Sequence, residues 1–348
     1  LGSQWTFNYG ARFSYVRDDD YQYYTSEEEM GDLDTDIRLD EYTYDLYAGA
    51  SRSFASGVSF SASLTGEYYR RNGYDRWALF PQASLSWMAS PEHILQAEFS
   101  SDKGYPSFWD MSGAVTYIDG YSEIHGTPGL QPSANYSLTL TYVLKQKYIF
   151  QLFGNHTADA FNQSAYLAPD RPALIYQSFN WDYMSSFGAL AVIPLRIGER
   201  FTSRITLVGF DYLLRNRDFY GMDYKRSKWV GRASMDNTLR LSRKPDLVFE
   251  FSGSYQTEAI QCTYDLTPSW QVDAGIKWTI AGGKADLSIK GNDLFDSMTP
   301  VSKVDFGQQH LRMGNRFYTR NVTVNFAYRF GGYKEKERKK VDTSRFGH

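Results

Sequence analysis

The chain has 348 residues, and 28 Tyr, 23 Phe and 8 Trp bring its aromatic content to 17%. Its 37 basic and 40 acidic side chains leave a formal charge of −3, which excludes a strongly basic nucleic-acid binder. A single Cys excludes a disulfide framework or a CxxC zinc site, and the longest apolar run, Ala189 to Leu195, falls far short of the roughly 20 residues a membrane-spanning helix needs.

Alternation with period 2, the strand signature, begins at once. Trp5, Phe7, Tyr9, Ala11, Phe13 and Tyr15 share one parity, with Gln4, Thr6, Asn8, Gly10, Arg12 and Ser14 on the other. The pattern returns through Val58–Tyr68, Tyr136–Leu144 and Leu247–Tyr255, then Trp270–Ile280, and finally Val322, Val324, Phe326, Tyr328 and Phe330. It predicts an all-β chain of about fourteen strands near 4–17, 41–54, 58–71, 76–88, 93–102, 133–145, 147–159, 173–196, 200–216, 223–242, 245–262, 267–281, 284–296 and 317–330. Many of these are longer than the roughly 9–11 residues with which a tilted strand crosses a bilayer. The apolar parity is rich in Tyr and Trp near strand ends, as in the aromatic girdles of outer-membrane barrels. The other parity is rich in Ser, Thr, Asn and Gly, as suits a wet lumen. An antiparallel transmembrane β-barrel in the cell outer membrane of a Gram-negative bacterium is the expected fold, spanning residues 1–330, with a basic tail over 331–348. A soluble β-sandwich would also alternate and is the plainer rival.

Turn residues mark the short connections, Ala55-Ser56-Gly57, Ser90-Pro91-Glu92, Lys145-Gln146-Lys147, Gly198-Glu199, Lys244-Pro245 and Gly282-Gly283. The long connections, 18–40, 103–132, 160–172 and 297–316, are expected on the outer side. Leu1 runs straight into a strand with no signal peptide, so the native N-terminus is expected to lie upstream.

Several residues are candidates for function. Residues 18–41 hold eleven acids, and Asp32, Asp34 and Asp36 are candidate calcium ligands, although Ile37 and Thr43 stand where an EF-hand loop needs Gly and Glu. The plain alternative is a solvated loop bridged to lipopolysaccharide by divalent cations. In the loop 103–132, Tyr105, Phe108, Trp109, Tyr117 and Tyr121, with His125, are candidates for stacking on a ligand, or else for packing over the barrel mouth. The lumen parity carries Arg12, Glu67, Asp273, Lys277, Asp286, Lys290 and Arg329, suited to pairing with neighbours or a plug. There is no HExxH, GxSxG or Walker-type loop, so no catalytic residue and no cofactor is expected. Cys262 is expected to be a packing residue.

Three motifs then carry a resemblance. Gly126-Thr127-Pro128-Gly129-Leu130-Gln131-Pro132 resembles the GNP-x-L-x-P turn of TonB-dependent outer-membrane receptors. Gly291-Asn292-Asp293-Leu294-Phe295-Asp296 resembles their N-x-[LI]-F-[DN] motif, and Phe326, Tyr328 and Phe330 resemble the C-terminal signal read by the barrel-assembly machinery. The tail Gly331 to His348 is similar to that of a Bacteroidota branch. The resemblance implies a 22-strand barrel of which this chain is the C-terminal part. It also implies a plug domain and a TonB box outside the chain, with TonB acting through the plug, and active uptake of a scarce ligand with a surface lipoprotein as a further partner. A passive 14-stranded porin or fatty-acid-type channel is the alternative, and a barrel hydrolase a more distant one.

Overall fold

A computed structural model describes residues 5–23, 34–314 and 317–330. Its strands are β1 (Thr6–Gln22), β2 (Thr35–Ser53), β3 (Val58–Arg71), β4 (Tyr74–Ser90), β5 (His93–Gly104), β6 (Val115–Asp119), β7 (Ser122–His125), β8 (Ser133–Leu144), β9 (Tyr148–Leu167) and β10 (Leu174–Ile197). They continue with β11 (Phe201–Phe219), β12 (Met222–Arg243), β13 (Asp246–Gln256), β14 (Ala259–Gln261), β15 (Tyr264–Leu266), β16 (Ser269–Ile280), β17 (Ala285–Asn292), β18 (Ser302–Phe306), β19 (Gln309–Met313) and β20 (Asn321–Tyr328). One short helix, α1 (Phe108–Met111), lies between β5 and β6.

Fourteen strands form a single antiparallel meander in the order β1-β2-β3-β4-β5-β8-β9-β10-β11-β12-β13-β16-β17-β20. Of the six remaining short strands, β6 and β7 lie in the 103–132 connection and β18 and β19 in 297–316, while β14 and β15 lie in a connection over 257–268, much of which was expected as strand. β7 pairs parallel with β10, and β14, β15, β18 and β19 make a separate small sheet. The meander is the fourteen-strand pattern read from alternation. Among the described residues β1 pairs only with β2 and β20 only with β17, so the sheet is open rather than closed on itself.

Register shows why the alternation has two meanings. Across the first four strands Phe13 stands opposite Tyr44, Tyr44 opposite Tyr68, and Tyr68 opposite Trp77. The rings follow one another at 4.9, 6.1 and 4.9 Å between centroids. This is one aromatic row on the apolar face. A second row lies ten residues along β4 at Trp87, exposed like Trp77. At about 3.3 Å per residue the two rows are roughly 33 Å apart along the strand, or about 25 Å across a bilayer at a 40° tilt, the height of an outer-membrane apolar band. Leu79, Leu85, Leu46 and Leu64 between the rows are exposed to solvent in the isolated chain. Nothing but lipid suits such a surface.

Several boundaries differ from the sequence reading. The acidic segment 18–40 is not all loop, because β1 extends to Gln22 and β2 starts at Thr35. Cross-strand pairs Arg17–Asp40 and Asp19–Arg38 let this charged stretch continue the ladder. β9 likewise runs to Leu167, into the expected connection 160–172. The strand expected over 245–262 stops at Gln256, and the one over 284–296 stops at Asn292, where Asp293 turns the chain with φ 44°. The last strand is Asn321–Tyr328, shorter than 317–330, so Phe330 lies just beyond it. The tail 331–348 and Asp32 lie outside the described residues.

Candidate functional site

The strands differ in length on one side only. β10 has 24 residues and β12 has 22, about twice what a bilayer requires, and the surplus projects past the aromatic row on the side of the long connections. The long connections fold onto this projection. On β10, Ser178 and Asn180 face the 103–132 segment. The Ser178 hydroxyl donates to Asp110 (2.8 Å), the Gln131 amide donates to Asn180 Oδ1 (2.8 Å), and Asn180 Nδ2 donates to the Gln131 carbonyl (2.9 Å). The alternate residues Phe179 and Trp181 pack with Phe219, Tyr224, Ile260, Cys262 and Phe306 on the opposite face. The projecting hairpin is thus covered on both faces.

The segment 103–132 is a packed cap. Met111 and Leu130 are fully buried with Leu39, against Phe108 and Phe161. The buried Arg71 of β3 donates to the Leu130 carbonyl and to the Met111 sulfur. Gly126, first residue of the GTPGLQP turn, crosses so close that a β-carbon would collide with the Ser112 carbonyl. Its neighbour Thr127 donates from its amide to Asp110 O (2.7 Å) and from its hydroxyl to Ser178 O (2.8 Å).

Beneath the cap lies a charged group. Glu67 is buried and accepts from Lys103 (2.8 Å) and from the Tyr105 hydroxyl (2.7 Å). Pro81, lacking an amide hydrogen, marks where this becomes possible. The β4–β5 ladder stops at Ala83–Phe99, and beyond it β5 brings Lys103 and Tyr105 to β3. At the cap's other end Glu123 is buried, bound by Arg171 (2.8 Å) and His125 (2.7 Å). The Arg171 hydrogen bonds hold its carboxyl below the usual range in spite of burial.

The five candidate stacking residues therefore divide. Phe108 is packed into the cap's own core and Tyr105 is committed to Glu67. Trp109 (61% exposed), Tyr117 (48%) and Tyr121 (69%) face solvent on the cap's surface. Asp34 and Asp36 flank the start of β2, Asp36 opposite Tyr21. Among the described residues no three His, Cys, Asp or Glu side chains converge on a metal position. Most of the lumen charges pair with their strand neighbours, Arg12 with Asp45 (2.7 Å), Asp286 with Arg329 (2.6 Å) and Asp273 with Lys290 (3.5 Å), while Lys277 makes no ion pair among the described residues. Burial pushes the Cys262 thiol up to about 12, so it stays a neutral packing group. Glu123, Arg171 and Asn180 carried no sequence signal, because each acquires its role from a partner about 20 to 50 residues away.

A concavity of about 1020 Å³ is lined by Leu85, Leu95, Leu140, Leu152 and Leu207 among others. These sit on the apolar parity of successive strands, so the concavity is membrane-facing surface and not a ligand pocket.

A long-stranded meander with aromatic rows a bilayer apart and loops gathered at one end defines an outer-membrane barrel protein. The model of the outer membrane protein beta-barrel family matches residues 1–328, and the chain belongs to that family, a protein of the Gram-negative outer membrane and not an enzyme. That membership displaces the soluble sandwich and the barrel hydrolase.

Similar solved structures include the FrpB iron transporter from Neisseria meningitidis, F5-1 variant. It is 13% identical, covering 94% of this chain and 54% of that one, with a TM-score of 0.61. A mutant ferric enterobactin receptor (PfeA) from Pseudomonas aeruginosa in complex with enterobactin is also 13% identical, covering 94% of this chain and 52% of that one, at 0.59. The F3-3 variant of FrpB is 12% identical, covering 84% and 46%, at 0.54. These likenesses are of fold, and they bear out the fold resemblance to TonB-dependent receptors. The chain spans about half the length of the solved chains it matches. No curated protein matches the sequence significantly.

Proposed function

We propose that this chain is the barrel portion of a TonB-dependent receptor that actively takes up a scarce ligand, with a plug domain inside the complete barrel as the part that TonB pulls. The observation that carries the reading is the cap over 103–132. One of the two longest connections is folded over the projecting strands, anchored by Arg71 and Asn180, and shows Trp109, Tyr117 and Tyr121 to the outside. Rigid aromatic surfaces at a restricted mouth suit capture of a large ring-bearing ligand. The solved barrels of like fold are titled an iron transporter and a ferric enterobactin receptor, so ferric chelates are the first class to try. In this reading Phe326, Tyr328 and Phe330, exposed on and just past the edge strand β20, are the signal for the barrel-assembly machinery.

The test is accumulation of radiolabelled ferric chelates by cells that depend on the full-length protein, with and without TonB. Uptake that needs TonB, and that falls at least about tenfold when Trp109, Tyr117 and Tyr121 are together changed to Ala, supports the reading. TonB-independent ion conductance by the purified protein would replace it with the passive-channel alternative.

A further inference from the structure

Past the aromatic row on β1 to β4, the apolar face becomes charged. Tyr15 lies opposite Tyr42 with rings 4.9 Å apart, and Tyr42 lies opposite Arg70. One step farther, Arg17 faces Asp40, and one step beyond that Asp19 faces Arg38. Because cross-strand partners share a face, three arginines and the acids Asp19, Asp40 and Asp75 stand together directly beyond the rings. The β3–β4 turn is fixed beneath them, since Asn72 accepts from the Asp40 amide (3.2 Å) and donates to the Arg38 carbonyl (2.6 Å).

The hydrogen bonding is one-sided. Arg17 donates to Asp40 through Nε alone (2.9 Å), and Arg38 donates to Asp19 through Nε alone (2.5 Å). The Tyr15 hydroxyl also donates to Asp40 (2.7 Å). The terminal nitrogens of both arginines donate to nothing else among the described residues. Their side chains are 49% and 62% exposed. Arg70 is exposed and makes no hydrogen bond or ion pair among the described residues. The aspartates therefore orient two guanidinium groups by one edge, and the outer edge of each, two parallel N–H groups, meets no acceptor among the described residues.

Position says what meets them. Tyr15 and Tyr42 lie at the level where aromatic side chains sit in the bilayer interface. Arg17 is two residues beyond Tyr15 and Arg38 four beyond Tyr42, about 7 and 13 Å along the strands or about 5 and 10 Å along the membrane normal at a 40° tilt, which puts Arg17 in the headgroup layer and Arg38 at its outer margin. The anions of that layer are phosphates, and a guanidinium edge matches a phosphate with two parallel hydrogen bonds. We propose that Arg17, Arg38 and Arg70 form a binding site for the phosphate groups of a phosphorylated outer-leaflet lipid, whose acyl chains lie along the apolar face below. The inference rests on the part of the proposed function that puts the long connections outside the cell, and it is independent of active uptake.

The probe is bisphosphorylated lipid A, bound to the full-length protein isolated from outer membranes in mild detergent and weighed by native mass spectrometry. Dephosphorylated lipid A, phosphatidylglycerol and inorganic phosphate are the comparison ligands. The expected result is retention of bisphosphorylated lipid A only, weakened at least about tenfold in the combined variant Arg17→Gln, Arg38→Gln, Arg70→Gln. Arg52→Gln, at the opposite membrane rim where Arg52 lies over Phe54 at 4.6 Å, leaves binding unchanged. A heat-dependent shift in gel mobility certifies that each variant is folded, and Arg70→Gln alone, which breaks no ion pair, gives a second measure if the combined variant is not. Equal binding of dephosphorylated lipid A, of phosphatidylglycerol or of inorganic phosphate overturns the proposal. So does a loss confined to Arg52→Gln, which would reverse the sidedness while leaving uptake to its own assay.

Discussion

Gly126 does not have a positive φ, and what makes it glycine is space. The chain turns there within contact of Ser112 O, and the amide of Gly126 itself donates to Ala114 O at 3.4 Å. Gly126→Ala therefore forces the turn away from Ser112, at about 1–3 kcal/mol of overpacking. The cap should become cleavable by protease within 103–132 while the strands stay resistant. Asp293 is a different case, a fully buried carboxylate in the second receptor-like motif. Burial raises its pKa, but hydrogen bonds from the Thr319 hydroxyl (2.5 Å) and the Ser297 amide (3.0 Å) outweigh that, and the group sits below the usual range. A carboxylate lowered in the folded state stabilises above its unfolded value, about 4, and that contribution is lost as pH falls through the folded value. The 293–298 turn should hold at pH 5 and loosen only in stronger acid, read by hydrogen exchange at the Ser297 amide. Asp293→Ala should loosen it at neutral pH, at a cost on the order of 2 kcal/mol.

At the scale of the strand, alternation alone does not say which face meets lipid, and composition decides it. On β3, Ser59, Ser61, Ser63, Thr65 and Glu67 alternate with Phe60, Ala62, Leu64, Gly66 and Tyr68. Leu64, near the middle of the apolar band and 46% exposed, should be intolerant of charge. Leu64→Arg is expected to cost about 2–4 kcal/mol at the bilayer midplane, and Ser63→Arg on the other face much less. Folding yields in lipid vesicles of graded urea content would separate them, and equal losses would reverse the two faces. The same logic explains what could be read beforehand. Fourteen strands were legible because each spans a band of fixed height with period 2. Their outer ends were not, because past the membrane the period no longer separates lipid from water. Asp18 to Asp20 read as loop yet pair with Ile37 to Leu39 in the ladder. The cap's aromatics were legible as a group, but the division between half-buried Phe108 and exposed Trp109 depends on Met111 and Leu130, which arrive from different turns of the same loop.

For the molecule as a whole, the edges of β1 and β20 are the open question in energy. Every residue of β20 is exposed, as are most of β1, and each strand has one unpaired side. In hydrocarbon an unsatisfied backbone group costs several kcal/mol, so a membrane-resident sheet cannot keep two bare edges. Either β1 meets β20 and closes a fourteen-strand barrel, or each edge meets other strands. The proposed function requires the second arrangement, since a receptor needs a lumen wide enough for a plug, and lumen width grows with strand number. Paired cysteines resolve it. Tyr9→Cys on β1 with Val324→Cys on β20 places two thiols on apolar-parity positions of the two edges. Neighbouring strands lie about 4.8 Å apart, close enough for a disulfide at matched positions, and scanning Phe7→Cys and Tyr15→Cys against the same partner covers the register. In the full-length protein folded in membranes, no pair is expected to cross-link, and the amides of both edges are expected to be protected from exchange. A disulfide in any pair would mean closure at fourteen strands, with no room for a plug of domain size, and the passive channel would then be the better account of the same sheet.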